Sequence, residues 1–80
     1  NYPNPFNPTT TIGYFLKEKT NAKLILLNTI GEKVAVLVNE EQDKGFHKVD
    51  FSASKLPSGV YFYQLTAGSF VQTKKMILLK

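Results

Sequence analysis

Hydrophobic and polar positions alternate along most of the chain with a period of two, the spacing of a strand buried on one face. Residues 10–16 place Ile12, Tyr14 and Leu16 on one side. Residues 22–28 place Ala22, Leu24 and Leu26 on one side and Ile25 and Leu27 on the other. Residues 33–38, KVAVLV, are rich in β-branched side chains, which suit a pleated, half-buried surface. Residues 46–51 set His47, Val49 and Phe51 against Phe46, Lys48 and Asp50, and residues 60–67 align Tyr61, Tyr63 and Leu65. A last run, 70–79, follows Gly68-Ser69, a two-residue hairpin signal between strong strands. No segment sustains an apolar period of 3.6 residues.

Between these runs lie turn signals. Residues 17–21 form a polar turn, Thr29 to Glu32 a turn in which Gly31 supplies a positive φ, and residues 39–45 a polar loop ending at Gly45. Pro3, Pro5 and Pro8 fall within the first eight residues; each removes a backbone donor and biases its predecessor toward extended geometry. Residues 1–8 are therefore expected to be an extended lead-in anchored by Phe6, and residues 9–80 a single domain. Six or seven short strands at this spacing predict an all-β sandwich or small barrel. Its core is expected at Ile12, Tyr14, Leu24, Leu26, Val34, Leu37, Val49, Phe51, Leu56, Tyr61, Tyr63 and Leu65.

Composition narrows the function. At 80 residues and 42% hydrophobic, the chain is one small globular domain. It has no Cys and one His, too few ligands for a zinc site. Serine-type catalysis would have to use His47, and no nucleophile elbow accompanies it. Glu40, Glu41 and Asp43 share one segment but lack the alternating pattern and central Gly of a calcium loop. Five isolated glycines build no phosphate cradle. No catalytic, metal or cofactor site and no small-molecule substrate is expected.

The formal charge of +4 comes from ten Lys and no Arg against six acidic residues. Spread lysines read as a solvated face, not a nucleic-acid surface, which favours Arg for base edges. The work left is surface contact. Apolar residues on both faces of 24–27 and 60–63, with Phe62 opposite to Tyr61 and Tyr63, predict strands covered twice or an exposed patch that meets another domain. Stacking of tyrosines on sugar rings is the carbohydrate-binding alternative. A chain that opens on Asn, with no signal peptide, reads as a piece of a longer protein, any N-terminal export signal lying upstream.

Specific elements go further. NYPNPFNPTTTI at the start, Asn28-Thr29-Ile30-Gly31-Glu32-Lys33-Val34, LPSGVYFYQL (56–65) and the closing FVQTKKMILLK occur in this order. Together they resemble the type A C-terminal sorting domain of the bacterial type IX secretion system. The resemblance implies an immunoglobulin-like sandwich of about seven antiparallel strands. It also implies a signal that guides an attached upstream cargo across the outer membrane, after periplasmic passage, to a secreted or cell-surface location. Its implied partners are outer-membrane translocon components and a sortase-like peptidase, which can remove the domain and anchor the cargo. The matching positions are Pro5, Phe6, Gly31, Leu56, Gly59 and Tyr61, expected as fold determinants, and Lys74, Lys75 and Lys80, expected in translocon recognition. The immunoglobulin-like domain of the flagellar hook-capping protein shares the NPF opening and the Gly-x-Tyr strand. A structural module of a larger extracellular or hook-capping-type protein is thus the alternative.

Overall fold

The computed structural model describes residues 9–79. They form six strands: β1 (Thr9–Leu16), β2 (Thr20–Leu27), β3 (Lys33–Gln42), β4 (Gly45–Ser52), β5 (Gly59–Ala67) and β6 (Phe70–Leu78). β1 and β4 pair in a two-stranded sheet, and β3-β2-β5-β6 form a four-stranded one, all neighbours antiparallel. The chain crosses between sheets at β1–β2, β3–β4 and β4–β5, so an immunoglobulin-like sandwich results. The all-β expectation holds, and the predicted strands recur in order. Pro5, Phe6 and the proposed lead-in 1–8 lie outside the described residues.

Alternation produces the core directly. Ile12, Tyr14 and Leu16 of β1 pack on Ala22 and Leu24 of β2 and Leu65 of β5. At the other end, Leu26, Ala53, Tyr61 and Leu78 form a second buried cluster, the lower cluster, with Phe51 and Leu56 packed against it. Leu24 and Leu26 are the largest fully buried side chains, as expected for the central strand β2. Burying a side chain of that size contributes roughly 1.5–3 kcal/mol.

Three expectations are corrected. Residues 39–42 are not loop: they extend β3, with Glu41 opposite Asn21 and Glu40 opposite Ala22, so ladder hydrogen bonding outweighs their polarity. Thr20 and Asn21 accordingly belong to β2, not to the turn before it. Val34, expected in the core, is exposed. It lies on edge strand β3, where shifts of register between Leu24 and Ile25 and between Leu26 and Leu27 break the simple alternation. Leu16, Ala22, Ala53 and Leu78 are buried in addition to the expected set.

Candidate recognition surface

β6 is one of the two edge strands of the larger sheet, β3 being the other. The hairpin turn at Gly68-Ser69 sets Ala67 opposite Phe70, and β6 then runs back along β5 to place Gly59 opposite Leu78. β5 is its one strand neighbour among the described residues, leaving the other side of the β6 ladder open. Residues 70–75 and Ile77 are all exposed. Such an edge presents unpaired N–H and C=O groups that another strand can engage.

Lys74 and Lys75 both lie on this edge, on opposite faces. Lys74 sits opposite Tyr63, on the inner side, and Lys75 opposite Phe62, on the outer side. Lys74 lines a groove of about 220 Å³ between β6 and β1, walled by Gly13, Tyr14, Phe15, Phe70 and Gln72 and floored by Leu24, Tyr63 and Leu65. The groove exists because the two-stranded sheet is narrower than the four-stranded one and leaves the inner face of β6 uncovered at Phe70, Gln72 and Lys74. Lys80 lies outside the described residues, and the structure sets the other two expected lysines on opposite faces of β6. The groove residues escape sequence reasoning because strand order, which decides what is an edge, has no local signal.

The motif residues hold turns. Asn28 Oδ1 accepts hydrogen bonds from the backbone N–H of Ile30 (3.1 Å) and Glu32 (2.9 Å), while its Nδ2 donates to Glu32 Oε1 (2.8 Å). Gly31, at φ 88°, closes this turn in a conformation that costs other residues strain. Leu56 is half-buried against the lower cluster, and its N–H donates to the Ala53 carbonyl (3.1 Å). Gly59 opens β5 at φ 155°. An added Cβ there would meet no atom within 4 Å, so its requirement is conformational. Tyr61 is buried, and its hydroxyl donates to the Pro57 carbonyl (2.7 Å).

His47 is committed to packing. Its ring stacks on Tyr14 with centroids 5.6 Å apart, and its Nε2 lies 2.8 Å from the Asp43 carbonyl. Tyr14 in turn donates a hydrogen bond to Gln42 Oε1. Burial raises the Tyr14 phenol above its ordinary value of 10.0, the Gln42 hydrogen bond opposes this, and the Glu40 charge adds to it. Among the described residues no three His, Cys, Asp or Glu side chains cluster to hold a metal ion.

Residues 1–79 match the family model of the secretion system C-terminal sorting domain. No curated protein and no solved structure matches the chain.

Proposed function

This chain belongs to the family of C-terminal sorting domains of the type IX secretion system, and we propose that the signal it carries is read on edge strand β6. As a sorting domain it serves export of an attached cargo by the type IX machinery across the outer membrane, to a secreted or cell-surface location. The observation that carries the proposal is the exposure of β6, with Lys74 at the lip of the groove and Lys75 on the opposite face. A strand of an outer-membrane translocon component adds to this edge, its carboxylates meeting the lysines. A sortase-like peptidase then removes the domain and attaches the cargo to the surface. The domain is the substrate of that step and supplies no catalytic group.

The test is a secretion assay on a fusion of signal peptide, fluorescent protein and residues 1–80, in a type IX host and in its translocon mutant. Truncating residues 74–80 would also remove buried Leu78, so a loss of export would confound recognition with folding. Charge reversal at Lys74 and Lys75, both exposed, avoids this. The proposal expects the unaltered fusion outside wild-type cells alone, and the doubly reversed variant to be retained. Export of the reversed variant at the unaltered level would refute reading on β6.

A further inference from the structure

The outward face of the four-stranded sheet carries a row that spans it from edge to edge. Lys33 lies opposite Leu27, Leu27 opposite Phe62, and Phe62 opposite Lys75. Cross-strand partners share a face, so these four side chains all project outward. Three strand spacings separate the terminal residues, about 14 Å. Apolar neighbours widen the centre of the row: Ile25 opposite Val36 on one side, and Val60 opposite Ile77 on the other. Val36 and Ile77 are 50% and 62% exposed. This is the second apolar face of residues 24–27 and 60–63, and it stands open to solvent.

Three of the four charges on this face are lysines. Outward positions of β2, β5 and β6 include Lys23 and Lys75 and no carboxylate, and β3 adds Lys33, with Glu41 at the far end beside Asn21. Another exposed apolar place, Phe15 opposite Phe46 on the two-stranded sheet, has Lys48 and Asp50 nearby and selects no sign.

Resting on the sorting reading above, we infer that this face is a second half of the recognition surface. It docks on a protein face of the type IX machinery that has an apolar centre and carboxylates on both sides, about 14 Å apart. Leu27, Phe62 and Ile25 are half-buried on a sheet face and do not project as exposed wedges, which suits a protein partner better than insertion between lipids. Of the lysines on this outward face, a signal confined to β6 would involve Lys75 alone. The docking face also needs Lys33, on the opposite edge of the sheet and 42 residues earlier in the chain.

Lys33 therefore decides the matter in the same secretion assay. Lys33→Glu is expected to lower extracellular fluorescence at least tenfold, and Lys33→Arg to keep it within twofold. Lys48→Glu, on the other sheet, serves as the control for net charge and is expected to stay within twofold. Melting temperatures of the three variant chains should match the unaltered one. A photoreactive residue in place of Val36 in the exported fusion should attach to a translocon polypeptide at a segment containing Asp or Glu. Full export of Lys33→Glu overturns the inference while leaving the reading of β6 standing. Retention of the unaltered fusion removes the sorting reading and this inference with it. Binding to phosphatidylethanolamine–phosphatidylglycerol vesicles that is lost in Lys33→Glu overturns the protein partner in favour of an anionic lipid surface.

Discussion

The hydroxyl of Tyr61 reaches back four residues to the carbonyl of Pro57, 2.7 Å away. Tyr61 stands near the start of β5, just after the chain has crossed from the two-stranded sheet. The bond ties the crossover to the strand it feeds, the tyrosine corner of immunoglobulin-like sandwiches. The ring fills the lower cluster beside Leu26, Ala53 and Leu78.

Ring and hydroxyl make separable contributions. Tyr61→Phe keeps the packing and loses one hydrogen bond, at a cost of about 1 kcal/mol. Tyr61→Ala empties the cluster and costs about 3–5 kcal/mol. In a domain of this size each kcal/mol lowers the melting temperature by roughly 4–8 °C. Thermal denaturation of both variants checks this, and equal losses would show that the ring's packing contributes nothing.

The Asn28 turn has a similar division of labour. Asn28→Ala removes two acceptor contacts and one donor contact and should cost about 1–2 kcal/mol, while Asn28→Asp keeps the acceptors and should recover part of it. Gly31→Ala retains those contacts but places a Cβ at φ 88°, costing about 1–2 kcal/mol. Urea denaturation of the three variants separates them. An unperturbed midpoint in Asn28→Ala would mean that the β2–β3 hairpin does not depend on its turn.

Position in the sheet also separates two residues that look equivalent in the sequence. Leu24→Ala, at a fully buried site on central strand β2, should cost about 2–5 kcal/mol. Val34→Ala, on exposed edge strand β3, should stay within about 0.5 kcal/mol. Chemical denaturation midpoints test the contrast, and a large loss at Val34 would place that side chain in the core.

The same contrast shows what the sequence makes legible. Period-two alternation identifies Ile12, Tyr14, Leu24 and Leu65 as core because the β1–β4 and β2–β5 ladders that hold them keep a regular register. It fails at Val34, since the register shift that leaves this residue unpaired in the β2–β3 ladder is set by long-range pairing and not by local pattern. It fails again at Asn39 to Gln42, where four polar residues complete the β2 ladder. Lys74 and Lys75 stand out as an adjacent pair in the sequence. Their separation onto two faces follows from strand geometry, whereas the alignment of Lys75 with Lys33 across four strands needs the sheet order.

Tyr14 makes stability depend on alkaline pH. Burial holds its phenol above 10.0, so the fold favours the neutral form more than the unfolded chain does. The contribution is complete below pH 10 and is lost as pH rises through the folded-state value, because the unfolded chain releases its proton first. Melting temperature should therefore fall from pH 9 toward pH 11.5. The informative quantity is the difference from the profile of Tyr14→Phe. That variant cannot ionise at this site and should show the shallower fall, while at pH 8 it differs only by the lost Gln42 hydrogen bond. Parallel profiles from pH 9 to 11.5 would show that the Tyr14 phenol titrates alike in the folded and unfolded chain.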